Sequence, residues 1–223
     1  MLAGACRGGD DIHPTLAATM MADFLAGVTR GIFSMEHKTW YFPQAGKENT
    51  DAVLRLAAAR ARDLGIRTIL VPSTTGVTAL AAAHALTGLQ IIVMTHEAGF
   101  EKPGEQEFPL ETRQALEAKG IAVHTVTHAF GGLSRAMRTK FNTHAIGDIV
   151  ANTLRIFGQG LKVAVEITLM AADCGVVRTD EPVIAMGGSD HGLDTAIVCK
   201  PVNAQRFFDL KVQEILCKPH FQA

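Results

Sequence analysis

Five short apolar runs punctuate the chain from residue 68 onward, and they lack the polar–apolar alternation of half-exposed strands. Runs of this kind are typical of strands that are buried on both faces, as in a mainly parallel sheet covered by helices. The connection between the last two runs is so short that the second must return antiparallel. The predicted strands are Thr68–Pro72, Gln90–Thr95, Ile121–Thr125, Val183–Met186 and Ala196–Cys199, with Trp40–Phe42 as a further short candidate.

Apolar residues at helical spacing fill the intervals between these runs. The stripe from Val53 to Leu64 predicts a helix with its N-cap at Asn49 or Thr50 and its end at Gly65. Alternating strands and helices predict an α/β fold. The other predicted helices are Gly76–Leu86, Leu110–Lys119, a stretch from Ile146 to Phe157 and another from Val163 to Cys174.

The first 34 residues differ in pattern from the rest of the chain. They hold one stretch that could form a short amphipathic helix, without the basic start and apolar run of a signal peptide. Met35 follows directly and could be an alternative initiator. We expect residues 1–34 to be an extension that the fold does not require, and residues 35–223 to form a single domain.

Composition narrows the class of protein. The chain has 223 residues, 48% of them hydrophobic, which is enough for one sizeable core. Its formal net charge of -1 argues against a nucleic-acid partner, and no apolar run is long enough to cross a bilayer. The four cysteines show no zinc or redox spacing, so we expect reduced thiols in a cytoplasmic protein.

Three hydroxyl residues and a glycine, Ser73, Thr74, Thr75 and Gly76, stand where a predicted strand gives way to a helix. The first N–H groups of a helix have no internal partner and carry partial positive charge, so they favour anions. The hydroxyls would add donors, and Gly76 would let a ligand approach the backbone. The alternative is that these residues only cap the helix, although one cap would suffice.

A glycine-rich turn joins the last two predicted strands. Gly187, Gly188, Ser189, Gly192 and Thr195 belong to this segment, which could close over a ligand. Glycines permit unusual backbone angles and close contact with a ligand. A flexible hairpin turn is the simpler interpretation of this segment taken alone.

A long loop from His96 to Pro109 follows the second strand, and loops of this length are often lids or binding loops. A metal site formed with His124 and His128 would fit no standard ligand spacing, so we predict no metal. The candidate lid or pocket residues in this loop are His96, Gly99, Phe100, Glu105 and Gln106.

Three further residues are ambiguous. Glu166 lies on an apolar helix and needs a partner if it is buried, which Lys162, one turn away, could supply. A structural ion pair is the simpler interpretation. Lys47 and Asn49 could contact a ligand, but the simpler interpretation is that they form a loop and cap the following helix. The chain contains no P-loop, no nucleophile elbow and no dinucleotide fingerprint.

The segment Thr68–Ala79, running on to Ile91–Thr95, resembles the C-terminal α/β domain of pyruvate kinase. Val183–Gly187 and Asp194–Val198 resemble the last two strands of that domain. The chain is more similar still to stand-alone pyruvate-kinase-C-terminal-like proteins of archaea and bacteria, from about Trp40 to Pro219. The motifs that carry this similarity in combination are Tyr41-Phe42, Gly46–Thr50, Ser73–Gly76, Thr95-His96, Gly99-Phe100, Phe157–Gly160 and Arg206–Leu210.

The resemblance implies a three-layer α/β/α fold with a five-stranded, mostly parallel sheet of order 3-2-1-4-5 and an antiparallel last strand. The loops at Ser73 and Gly187 would then flank the topological switch point, where ligands bind in such sheets. The matching loop of pyruvate kinase holds a phosphate of an allosteric sugar bisphosphate. The resemblance therefore implies that phosphate is gripped by Ser73, Thr74, Thr75 and Thr78.

We expect a protein that binds a phosphorylated small molecule or mononucleotide, with FMN as the specific candidate, against a wall that includes His96, Phe100 and Phe130. Pyruvate kinase activity is not expected, because the catalytic barrel of that enzyme has no counterpart here. One alternative is an enzyme acting on a phosphorylated metabolite, with acid–base groups such as His96, Glu105 and Glu166. Another is an interaction subunit of a larger complex, and a homo-oligomer is possible.

Overall fold

The computed structural model describes residues 36–220, so the predicted extension 1–34 lies outside the described residues. Within them, strands and helices alternate as the apolar pattern predicts. The strands are β1 (Trp40–Phe42), β2 (Thr68–Pro72), β3 (Gln90–Thr95), β4 (Ala122–Thr125), β5 (Val183–Gly187), β6 (Thr195–Lys200) and β7 (Lys211–Pro219). The helices are α1 (Thr50–Leu64), α2 (Val77–Ala85), α3 (Leu110–Glu117), α4 (Gly132–Phe141), α5 (Ile146–Arg155) and α6 (Gln159–Asp173), with 3-10 turns at Lys47–Asn49 and Ala204–Asp209.

One sheet contains all seven of these strands in the order β1-β7-β6-β5-β2-β3-β4. Strands β2 to β6 reproduce the predicted order 3-2-1-4-5, and β6 runs antiparallel to β5. This part of the prediction is confirmed. The sheet has seven strands rather than five, because β7 pairs antiparallel with β6 and β1 pairs parallel with β7.

The strand and the helix that the apolar pattern did not predict, β7 and α4, both lack a regular buried face. The first three residues of β7 are exposed, and the ladder to β6 shifts register twice, so no regular alternation marks this strand. Helix α4 has no buried residue at all. Its apolar residues Leu133, Met137 and Phe141 face solvent, and a core-facing stripe is therefore missing.

Two hydrophobic cores cover the faces of the sheet. Ile69 and Val71 of β2 point into the core formed with α1, α2 and α3. Leu70, between them, points into the core formed with α5 and α6. Each of these three side chains is fully buried, which contributes about 1.5–3 kcal/mol per side chain. The alternation explains why the strands read as continuous apolar runs.

The first turn of α6 lies directly against the end of β5. A Cβ added at Gly187 would stand 2.7 Å from the carbonyl carbon of Gly160, and one added at Gly160 would stand 2.5 Å from Asp194 Oδ1. Neither position has room for a side chain, because the opposing atoms are backbone or belong to a fully buried residue. The contact therefore sets the distance between helix and sheet at this end of the molecule.

Substituting Gly187 with alanine tests how tight this contact is. We expect Gly187→Ala to lower the free energy of unfolding by about 3 kcal/mol, because backbone must move to admit the methyl group. Gly65→Ala is the control, since Gly65 has φ +67° but no atom within 4 Å of an added Cβ. It should cost only about 1 kcal/mol, from the left-handed backbone alone. Equal costs in urea unfolding would contradict the tight contact.

Candidate functional site

A cleft of about 1180 Å³ opens at the carboxyl ends of β2 and β3. Its walls come from the start of α2, the loops after β3 and β4, and helices α4, α5 and α6. The turn after β5 closes one side. Because β2 pairs in parallel with both β3 and β5, this is the switch point of the sheet.

Ten of the eighteen candidate site residues line the cleft and eight do not. Those on its wall are Lys47, Ser73, Thr74, Thr75, Thr78, His96, Phe100, Glu166, Gly188 and Gly192. Those that lie elsewhere are Asn49, Gly76, Gly99, Glu105, Gln106, Gly187, Ser189 and Thr195.

The hydroxyl loop, Ser73–Gly76, contains both a helix cap and spare donors. Gly76 is the N-cap residue, and buried Ser73 adds a contact to the first turn, because its Oγ accepts the N–H of Ala79 at 3.3 Å. Gly76 has φ +89°, and a Cβ there would stand 2.6 Å from Thr112 Cγ2, so backbone and packing both require glycine. The capping alternative thus accounts for Ser73 but not for the hydroxyls of Thr74 and Thr75, which take no part in capping.

The first N–H groups of α2 remain available to a ligand. Among residues 36–220, no protein acceptor binds the N–H of Val77 or Thr78. The side chain of Val77 is 71% exposed, and both residues line the cleft. Unpaired N–H groups at a helix start, with neighbouring hydroxyls, form a donor set that suits an anion.

The glycine turn, Gly187–Gly192, is shaped by internal packing. Gly192 has φ +72°, and a Cβ there would stand 2.5 Å from the Cα of Lys47. A Cβ at Gly188 would stand 3.0 Å from the carbonyl carbon of Gly192. These glycines therefore let the turn fold tightly and bring Lys47 to the edge of the cleft.

Asp194, which is fully buried, ties this turn to the loop before α1. Its Oδ2 accepts the N–H groups of Ser189 at 3.0 Å and Gly46 at 3.2 Å, and its Oδ1 accepts the hydroxyl of Thr195 at 2.8 Å. Thr195 is itself fully buried and turned towards Asp194 rather than the cleft. The sequence pattern did not single out Asp194, although a buried carboxylate beside three glycines has an evident structural task.

His96 is held from two sides. Its Nε2 lies 3.3 Å from Thr74 Oγ1 in the hydroxyl loop, and its Nδ1 lies 2.9 Å from Glu107 Oε2. The sequence suggested Glu105 as an acid–base group. This side chain is instead exposed, with its Oε2 3.6 Å from Lys102 Nζ. The two glutamates stand two residues apart in one loop, and only the folded loop distinguishes them.

Aromatic and cationic groups stack along the same wall. The ring of Phe100 lies 4.0 Å from that of His96 at 35°. The guanidinium of Arg135 lies 3.8 Å from the centroid of Phe100 and donates to its carbonyl oxygen at 2.9 Å. The Phe100 ring therefore contacts both His96 and a cation.

Several candidate residues serve the loops that shape the cleft. Gln106 donates to the carbonyl oxygen of His96 at 2.9 Å and accepts the N–H of Phe108 at 2.9 Å. Asn49 donates to Gln44 O at 2.9 Å, and Gly99, with φ +83°, donates its N–H to Glu105 O. These contacts position the wall without placing the side chains in it.

A buried ion pair lies at the floor of the cleft. Glu166 Oε2 pairs with Lys162, as the sequence suggested, and Oε1 accepts the N–H of Phe130 at 3.0 Å. His128 stands nearby with its Nδ1 lacking a hydrogen-bond partner among the described residues. Burial lowers the pKa of His128, against the opposing effect of the Glu166 carboxylate.

Three cations on the cleft wall have no carboxylate partner in the part of the chain that the structure describes. Within residues 36–220, no carboxylate lies within 4 Å of the charged groups of Lys47, Arg135 or Arg155. Arg155 does hydrogen-bond Gln159 at 2.7 Å, a neutral partner. The sequence missed Arg135 because it lies on α4, the helix without a core-facing stripe.

The described part of the chain contains no group of three or more His, Cys, Asp or Glu arranged to hold a metal ion. It also contains no helix that is both long enough and apolar enough to span a membrane.

Among solved structures, the chain is similar to Cryptosporidium parvum pyruvate kinase in complex with ADP, at 14% sequence identity and a TM-score of 0.36. The match covers 82% of this chain and 27% of that enzyme, so this chain corresponds to about a quarter of its length.

The family described as "Pyruvate kinase, alpha/beta domain" matches residues 51–199, about two thirds of the chain. The matched segment begins in α1 and ends in β6, so it contains the hydroxyl loop, the His96 loop and the glycine turn. The chain therefore belongs to the pyruvate kinase alpha/beta domain family.

Proposed function

We propose that the cleft binds a phosphorylated small molecule or mononucleotide, with its phosphate at the start of α2. The observation that carries this proposal is that the N–H groups of Val77 and Thr78 and the neighbouring hydroxyl of Thr75 have no protein partner within residues 36–220. Lys47, on the cleft wall without a carboxylate partner among the described residues, adds positive charge. A dianionic phosphate meets both needs, because it accepts several hydrogen bonds and carries charge.

FMN is the specific mononucleotide that we propose. The volume of the cleft exceeds that of a phosphate many times over, and its deeper wall includes the apolar residues Met94, Phe130, Ile167 and Met170. A flavin ring would cover such a wall while its single phosphate anchors at α2. Phe100 is less suitable as a stacking partner than the sequence suggested, since its ring already contacts His96 and Arg135.

The absorption spectrum of the purified protein tests the FMN proposal. A flavin that remains bound through purification gives a visible spectrum, and its release by denaturation permits identification by mass. A colourless protein whose melting temperature does not rise with added FMN would contradict this choice of ligand, because any ligand specific to the native state raises apparent stability.

Charge at the first position of α2 tests the phosphate site. We expect Val77→Asp to abolish the rise in melting temperature that inorganic phosphate produces, because the carboxylate repels the anion. The same carboxylate favours the helix start by about 0.3–1 kcal/mol, so the fold should not suffer. Substitution of Gly76 would be ambiguous, because any side chain there would meet Thr112.

Val77→Asn is the matched control, since asparagine has nearly the shape of aspartate without its charge. It should keep most of the phosphate response in the same thermal shift assay. Equal responses of the aspartate and asparagine variants would contradict an anion site at this helix.

Removal of the lysine charge tests the other side of the site. We expect Lys47→Met to weaken phosphate binding about tenfold, a loss of about 1.4 kcal/mol, which is in the range for a hydrogen bond to a charged group. Lys119→Met removes an exposed lysine that does not line the cleft and should leave affinity unchanged. Calorimetric titration with phosphate compares them, and similar affinities for both variants would exclude Lys47 from the site.

We also propose that the protein is a homo-oligomer in a reducing compartment such as the cytoplasm. Leu133 (85% exposed), Met137 and Phe141 (64% exposed) recur every four residues, so they form an apolar stripe on α4. Light scattering should give a mass above that of one chain, and Phe141→Glu should reduce it. A monomeric wild-type protein would contradict self-association.

Cys174, Cys199 and Cys217 are free thiols, as expected in a reducing compartment.

A further inference from the structure

Three side chains from separate segments form a chain of hydrogen-bonding contacts in the cleft wall. Thr74 Oγ1 lies 3.3 Å from His96 Nε2, and His96 Nδ1 lies 2.9 Å from Glu107 Oε2. A hydroxyl, an imidazole and a carboxylate in this order are the groups of a nucleophile, a general base and the residue that orients the base. A distance slightly above 3.2 Å between nucleophile and base is common in unliganded sites.

The contacts fix the roles of the two imidazole nitrogens. The carboxylate of Glu107 accepts a hydrogen bond, so it favours the tautomer with its proton on Nδ1. Nε2 then presents a lone pair to Thr74 Oγ1, whose hydroxyl donates. The Phe100 ring against His96, and Gln106 hydrogen-bonded to the His96 carbonyl, hold the imidazole in this orientation.

We propose that Thr74, His96 and Glu107 form a catalytic triad that transfers the phosphoryl group of a bound phosphomonoester to Thr74 and then to water. The inference rests on the proposed function, because the donors at the start of α2 must bring phosphorus to Thr74. It goes further, because a site that only binds phosphate has no need of a base behind its hydroxyl.

The first step converts the ester into a phosphothreonine and an alcohol. Thr74 Oγ1 attacks phosphorus, its proton passes to His96 Nε2, and the bond between phosphorus and the ester oxygen breaks. The departing oxygen leaves opposite Thr74 and takes a proton from a water molecule in the cleft, while His96 keeps the threonine proton. The negative charge on the three remaining phosphoryl oxygens is met by the N–H groups of Val77 and Thr78 and by Lys47.

The second step restores the protein. The hydroxide left by the first step attacks the phosphothreonine from the side opposite Thr74, and the bond between phosphorus and Thr74 Oγ1 breaks. The threonine oxygen regains its proton from His96, and inorganic phosphate leaves. Water is the only co-reactant, and nothing is oxidised or reduced. The two steps together make the protein a phosphomonoester hydrolase, with the alcohol part of the substrate held in the remainder of the cleft.

Hydrolysis of p-nitrophenyl phosphate by the full chain tests this inference. We expect release of p-nitrophenol, with kcat about 10²–10⁴-fold lower in Thr74→Val and His96→Gln. Thr74→Ser keeps a hydroxyl and should retain activity. Peptide mass spectrometry after an acid quench should detect phosphothreonine at position 74 in the wild-type protein during turnover. In His96→Gln it should detect only a trace of this species.

Glu107 acts through His96, so Glu107→Gln should lower kcat about 10²-fold and leave KM unchanged. Glu105→Gln is the matched control, because Glu105 stands in the same loop outside the cleft and should show wild-type values for both. A general disturbance of the loop would change both variants, or would raise KM.

The outcomes separate the two proposals. If phosphate raises the melting temperature but p-nitrophenol release does not exceed that of Thr74→Val, the triad is wrong and phosphate binding stands. If phosphate has no effect on the melting temperature, the proposed function itself fails. Cleavage of p-nitrophenyl acetate in place of the phosphate ester would overturn the reaction class, and full activity in Thr74→Val would overturn the nucleophile.

Discussion

The contact between Gly160 and Gly187 is the constraint on which this end of the molecule depends. Glycine at both positions lets the backbone of α6 touch the end of β5, where any Cβ would meet backbone or buried atoms. The start of α6 thereby stands beside the switch point, and the helix carries Lys162 and Glu166 to the floor of the cleft. Close approach of two backbones, rather than any side-chain interaction, decides where these charged groups lie.

A second set of contacts extends the same constraint to the cleft edge. Asp194 follows the glycine turn. Its carboxylate accepts the N–H of Ser189 within the turn and the N–H of Gly46 in the loop before α1. Because a buried carboxylate is stable only when its oxygens are satisfied, this arrangement fixes the loop that carries Lys47. The sequence suggested that these glycines contact a ligand, but they act mainly through packing. Their tight packing lets the backbone of Lys47 lie against the turn, at the edge of the cleft.

The central strands were predictable because they are apolar on both faces. Their order in the sheet was predictable because the resemblance to the pyruvate kinase C-terminal domain implies it. Strand β7 and helix α4 were not, since neither buries a full face, and periodicity reports only burial. The hydroxyl loop could be recognised because a helix start is local in sequence. The partners of His96 could not, because Thr74 lies 22 residues before it and Glu107 eleven after it, in a loop without periodicity.

The distribution of charge in the cleft distinguishes structural from available groups. Lys162 and Arg138 are each balanced by a buried carboxylate, Glu166 and Asp148 respectively, so an added anion gains little from them. Lys47 lacks such a balance among the described residues. The N–H groups of Val77 and Thr78 have the same character, because no acceptor within residues 36–220 binds them. Groups of both kinds line the same cleft as Thr74 and His96. This shared position is what supports the proposal of a phosphate ester as the ligand.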